Sequence, residues 1–278
     1  MIDFVKDTLQ LLPFLFATYL VLEAIEARVG GALERFLERA RSVGPAAGAL
    51  AGAIPQCGVS AAAASFYAGG VITAGTLLAV FLSTSDELVP VLVSARMPAS
   101  LVWKIVGIKI AAALGVGFVA NGVLVLVRHT RRDVSVHELC EHSHCGCTGR
   151  RGILVPALIH TLEIFAFIVV ISGAIELCMH YFGEDSLSTL RLNRPFFGEL
   201  AGGALGLIPN CAVSVAGAKL YMAGAMSPGA LMASSFTGSG LGLLVLFRTN
   251  RSLWENLAIL LLVFVIGTLL GMLTGPLL

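Results

Sequence analysis

The chain has 278 residues, of which 57% are hydrophobic and only 13% charged, and its net charge is +1. Soluble domains carry about 25% charged residues, so this composition excludes an ordinary soluble domain. The near-neutral balance leaves no basic surface for nucleic acid. An all-α, polytopic integral membrane protein seated in a lipid bilayer is predicted.

Apolar segments run over 9–27, 44–68, 70–95, 99–127, 153–182, 196–222, 225–247 and 253–278. Each has the roughly 20 residues needed to cross hydrocarbon. The start, Met1-Ile2-Asp3-Phe4-Val5-Lys6-Asp7, lacks the positive n-region and cleavage site of a secretory signal, so the first segment is expected to remain. Three units follow: a first transmembrane repeat over 1–127, a His/Cys-rich linker over 128–152, and a second transmembrane repeat over 153–278.

Both repeats open with a long helix bearing a glutamate in apolar surroundings, Glu23 in one and Glu176 in the other. Next comes the most telling phrase. Ile54-Pro55-Gln56-Cys57-Gly58-Val59-Ser60 recurs 154 positions later as Ile208-Pro209-Asn210-Cys211-Ala212-Val213-Ser214. The same offset carries Tyr67 to Tyr221, Gly70 to Gly224 and Gly75 to Gly229. Proline breaks a helix and frees backbone carbonyls, which at membrane depth must find other partners. A duplicated break of this kind points to a transporter's binding site.

Charge distribution chooses the topology. If 44–68 and 196–222 cross fully, the halves are parallel and bases divide about evenly between the faces. If each is a re-entrant pair of half-helices, the halves are inverted. Arg28, Arg35, Arg39, Arg41, Arg128, Arg131, Arg132, Arg150, Arg151, Arg248 and Arg251 then share one face. Only Lys6, Arg96, Lys104, Arg191 and Arg194 remain on the other. Cytoplasmic loops carry the excess of bases. Two inverted-topology repeats with discontinuous or re-entrant half-helices are therefore expected in the cell (inner) membrane, multi-pass, with the central loop cytoplasmic.

The two tips offer amide oxygens from Gln56 and Asn210 and thiols from Cys57 and Cys211, a compact set of metal ligands. The alternative is that the prolines and small residues serve packing alone, with cysteine as a small hydrophobe. The third segment of the first half contains Ser83-Thr84-Ser85-Asp86-Glu87. Adjacent carboxylates deep in an apolar run cost several kcal/mol unless paired, so they are functional by default. Thr237-Gly238-Ser239-Gly240-Leu241 takes the matching place in the second half, polar but uncharged. Ser85, Asp86 and Glu87 join the tips as candidate lining of a transport path.

Glu23, Glu176, His160 and Glu163 are read as accessory ligands or proton carriers, since histidine titrates near neutral pH. Lys109, deep within 99–127, is either a counter-ion for the carboxylates or a snorkelling side chain. In the linker, His137, Cys140, His142, His144, Cys145 and Cys147 offer borderline and soft ligands without the paired spacing of a structural zinc site. That cluster suits loose metal capture.

With Leu12-Pro13-Phe14-Leu15-Phe16, Pro55-Gln56-Cys57-Gly58, the run from Gly75 to Glu87, Ile208-Pro209-Asn210-Cys211, Leu243-Leu244-Val245-Leu246-Phe247-Arg248 and a His/Cys-rich middle loop, the chain resembles a family of ten-segment heavy-metal exporters. Members of it carry the label of manganese transporter, and the family is distantly similar to arsenic permeases. The resemblance implies export of a metal or metalloid. Three full spans and two half-helices per repeat agree with ten segments.

The expected function is secondary-active export of divalent transition-metal ions by proton antiport. Mn²⁺ is favoured because oxygen ligands outnumber thiols, with Zn²⁺ and Cd²⁺ as further candidates. An arsenite or organic-anion permease is the alternative. No GxxxxGK[ST] motif or nucleophile–base motif is present, so neither an ATP-driven pump nor an enzyme is expected. No resident cofactor is required, the metal being cargo. Whether chains assemble as a homo-oligomer is left open.

Overall fold

A computed structural model describes residues 43–54, 57–85, 88–127, 194–209 and 211–278, with isolated helical positions at 16, 20, 158, 161–162, 165–166 and 169–170. Every regular element among the described residues is helical. In the first half these are α1 (Val43–Gly52), α2 (Cys57–Ala68), α3 (Ala74–Ser83), α4 (Leu88–Ser94) and α5 (Ala99–Val127). In the second half they are α6 (Phe197–Gly206), α7 (Cys211–Met222), α8 (Pro228–Thr237), α9 (Gly242–Thr249) and α10 (Leu253–Thr274), closed by a 3-10 turn over Gly275–Leu277.

The Pro-x-Cys phrases break the chain where expected. α1 and α6 end at Gly52 and Gly206, and α2 and α7 start at Cys57 and Cys211. At 1.5 Å per residue, helices of 10 to 12 residues span only about 15–18 Å, half of a hydrocarbon core.

A second pair of breaks was not expected. The apolar segments 70–95 and 225–247 are each interrupted, after Ser83 and after Thr237. Among the described residues, four stretches are long and apolar enough to cross a membrane: Ala74–Val93, Ala99–Val123, Pro228–Thr249 and Leu253–Leu277. The first and third contain these breaks and are 75% and 72% buried, whereas the other two are 22% and 33% buried. Among the described residues the broken helices thus occupy the centre, and the continuous α5 and α10 flank them.

Local geometry recurs at the sequence offset of 154. Thr73 caps α3 by accepting from the Thr76 amide at 3.2 Å, and Ser227 caps α8 by accepting from the Ala230 amide at 3.0 Å. α2 and α7 both run into turns where Gly70 and Gly224 adopt φ 72°, a region glycine enters without steric penalty. Small residues let neighbouring backbones touch in both halves. Gly48 and Gly52 lie against Thr76 and Val80 of α3, as Gly202 and Gly206 lie against Ala230 and Ser234 of α8. Since both series ascend together, α1 runs parallel to α3, and α6 runs parallel to α8. α10 runs antiparallel to α8, with Gly275, Gly271 and Gly267 against Gly229, Ala233 and Thr237.

Neither half keeps its core to itself. One buried cluster joins Ala61, Tyr67 and Phe81 to Leu243, Leu246 and Ile259. The other joins Leu82, Leu92 and Ile105 to Leu231, Met232 and Phe236. Gly242 at the start of α9 packs on Ser60 and Phe81.

Candidate functional site

The new breaks bring polar atoms into the apolar centre. Thr84 follows the last residue of α3, and its hydroxyl folds back to the Val80 carbonyl at 2.7 Å. The Ser83 hydroxyl likewise reaches the Val80 carbonyl at 3.1 Å. On the other side Thr237 donates to the carbonyl of Gly203 in α6, 2.8 Å away, tying α8 to its parallel neighbour. Gly240 turns the chain with φ 53° before α9. Thr84 and Ser85 are 2% exposed and Thr237 and Ser239 at most 1%, so both breaks lie deep within the protein. The Ser239 hydroxyl, in the position equivalent to Ser85, has no hydrogen-bond partner among the described residues.

A cavity of ≈ 20 Å³ opens where the breaks face one another. Thr84, Ser85 and Leu88 line it from the first half. Ser214, in the first turn of α7, joins Gly217, Leu231, Ser234, Ser235 and Gly238 from the second. That volume accommodates about one water, or an ion stripped of most of its hydration. Hydroxyls and backbone are the dominant polar groups in the wall.

Lys109 supplies the charge beside it. The side chain is 0% exposed, so it does not snorkel. Its ammonium donates to the Thr84 carbonyl and, at 2.7 Å each, to the carbonyl and hydroxyl of Ser235. The Phe236 ring centroid lies 5.7 Å from Nζ, within cation–π range. Lysine thus bridges the end of α3 to the last turn of α8.

Of the residues singled out in the sequence, Ser85 stands in this cavity wall. Its hydroxyl donates to the Ser83 carbonyl at 3.2 Å. Gln56, Asp86, Glu87 and Asn210 lie outside the described residues, as do Glu23, His160, Glu163 and Glu176 and the loop set His137, Cys140, His142, His144, Cys145 and Cys147. For Cys57 and Cys211 the described part is their place as the first residues of α2 and α7. Among the described residues no three His, Cys, Asp or Glu side chains converge.

Ser214 closes the second recurring phrase without having been picked out as lining, and Ser234 and Ser235 lie in an apolar run where serine is unremarkable. Sequence reasoning also passed over Glu199. That side chain, 8% exposed in the first turn of α6, has one carboxyl oxygen 3.5 Å from the Ser227 hydroxyl and the other without a partner among the described residues. A lone acid within an apolar segment was the available signal.

Comparison with protein-family models, curated proteins and solved structures finds no match for this chain.

Proposed function

We propose that the protein is a secondary-active transporter built from two inverted repeats, exporting divalent transition-metal ions, with Mn²⁺ favoured, by proton antiport. The observation that carries the reading is the meeting of two buried helix breaks around an ion-sized cavity edged by hydroxyls, with Ser85 in its wall and the sequence continuing directly into Asp86 and Glu87. Transporter sites at midplane are typically made by discontinuous helices of paired repeats.

Several contacts support the re-entrant, inverted arrangement. Because α6 and α8 run parallel, α7 must return to the face from which α6 entered, or the five-residue connection 223–227 would have to recross the membrane. The same argument applies to α2, given α1 parallel to α3. α2 and α9 run side by side, from Ser60 on Gly242 to the Tyr67 hydroxyl bonded to Glu255 at 2.5 Å, just past the end of α9. α3 therefore enters from the face where α9 exits, and α8 enters from the opposite one. On the far side Lys104, near the start of α5, donates to the Leu277 carbonyl at 3.0 Å, as this topology requires. Trp103 and Trp254, 75% and 85% exposed, then fall at opposite interfaces, where tryptophan concentrates.

Asp86 and Glu87, next in sequence to Ser85, carry two formal negative charges against the one positive charge of Lys109, a balance that favours a cation. A buried ammonium is also what an anion permease would use, so Lys109 keeps that second reading in play. Flux into proteoliposomes separates them. Uptake of Mn²⁺ or Zn²⁺ that depends on an imposed pH gradient and is lost in Asp86→Asn is expected. Arsenite or anion flux with no metal flux would refute the metal reading.

A further inference from the structure

Lys109 is the most buried charged residue among those described. Its four-carbon stem carries the ammonium inward to oxygens from two elements far apart in the chain, Thr84 and Ser235. Each of those carbonyls has a reason to need a donor. The last carbonyls of an α-helix lack intrahelical partners, and a membrane interior has no water to supply one. α3 stops at Ser83 and α8 at Thr237, equivalent positions in the two halves. Their C-terminal ends present carbonyls, and the negative ends of their dipoles, to a common point.

Carbonyl and hydroxyl oxygens are the ligands that replace water around an alkali cation in a protein. We propose that the ends of the two broken helices form a monovalent-cation site which the protein fills with its own tethered ammonium, and that this cation clamps the two helix ends together. The position 154 residues after Lys109 is Val263, equally buried and uncharged, so the second half carries no equivalent tether. The adjoining cavity shares Thr84 and Ser235 with the cage, which places the clamp in the wall of the candidate transport path. The inference is independent of which ion is transported, because its test reads stability rather than flux.

The test uses the full chain in lipid nanodiscs, with thermal unfolding followed in choline, potassium and n-propylammonium chloride. Lys109→Ala removes a group the size of propylammonium, whereas Lys109→Met fills the stem without charge. The alanine variant is expected to unfold several degrees lower in choline, to recover with propylammonium and to recover in part with potassium. The parent and the methionine variant are expected not to respond. An alanine variant as stable as the parent in choline, or equal responses of all three proteins, overturns the proposal. If Lys109→Ala yields no folded protein in choline, purification with propylammonium is expected to restore the yield, and failure to do so counts against the site. Ser235→Ala keeps the ammonium and removes one of its acceptors. It is expected to lower the midpoint by less than Lys109→Ala, and an unchanged midpoint also overturns the proposal.

Discussion

Gly271 in α10 is where the packing of the centre is least forgiving. A Cβ there would lie 2.5 Å from the Ala233 Cβ and 2.6 Å from both its Cα and its amide nitrogen. None of these atoms can rotate away. Ordinary contact begins at 3.4 Å, so α8 and α10 must part by about 0.9 Å at this level. Overpacking of this kind costs about 1–3 kcal/mol, and three fixed atoms put Gly271→Ala toward the upper end. Alanine also gains about 1 kcal/mol of helix propensity over glycine, which would hide part of the loss. The control is Gly107→Ala on exposed α5, where a Cβ meets nothing within 4 Å and only the propensity gain applies. The two variants should therefore differ by about 2–3 kcal/mol, or roughly 4–10 °C in thermal midpoint for a chain of this size. Unfolding in nanodiscs, followed by fluorescence, measures that difference. If Gly271→Ala is as stable as Gly107→Ala, α8 does not lie against α10 as described. The inference that α8 delivers Ser235 to Lys109 would fall with it.

Asp86→Asn should reduce Mn²⁺ flux and cellular manganese resistance about tenfold or more, the loss expected when one charged ligand worth about 1.5–3 kcal/mol is neutralised; wild-type flux would remove Asp86 from the site. Tyr67→Phe deletes the 2.5 Å bond to Glu255 and should destabilise by about 1–2 kcal/mol, measured by denaturation, because that bond pins α2 to the start of α10. In a background with the six native cysteines replaced, single cysteines at Gly70 and Ser252 should react with an impermeant maleimide from one side of the membrane, and those at Gly224 and Arg96 from the other. Labelling of Gly70 and Gly224 from the same side would rule out inversion.

Some of this was readable from residues alone, and the rest was hidden for definite reasons. The breaks at Pro55 and Pro209 were legible because proline leaves the helix no alternative. Those after Ser83 and Thr237 were not, since serine and threonine fit a helix by bonding back to its carbonyls, as Thr84 does to Val80. There the chain is turned by Gly238 and Gly240 in one half, while in the other Pro90, in the first turn of α4, was the available signal. The direction taken by Lys109 was also invisible. The apolar residues of α5 are spread around the helix, so they mark no inward face. Pairing of α1 with α3 and of α6 with α8 could be suspected from glycines spaced by four, but their parallel sense comes only from the contacts.

The repeat and its charges obey different rules. Capping, turns and glycine contacts recur at a constant offset, yet Asp86, Glu87 and Lys109 have Gly240, Leu241 and Val263 as counterparts. A symmetric copy of Lys109 would bring a second ammonium toward the same centre, near the same ≈ 20 Å³ cavity. Like charges that close in a low-dielectric interior cost several kcal/mol each. Confining the ammonium to one half avoids that cost while both halves still contribute neutral oxygens. The second half then serves chiefly as a dipolar wall: Ser214, Ser234 and Ser235 with the carbonyls of α8. On this view Ser235 is as consequential as any charged residue, because it is where the second half takes hold of Lys109.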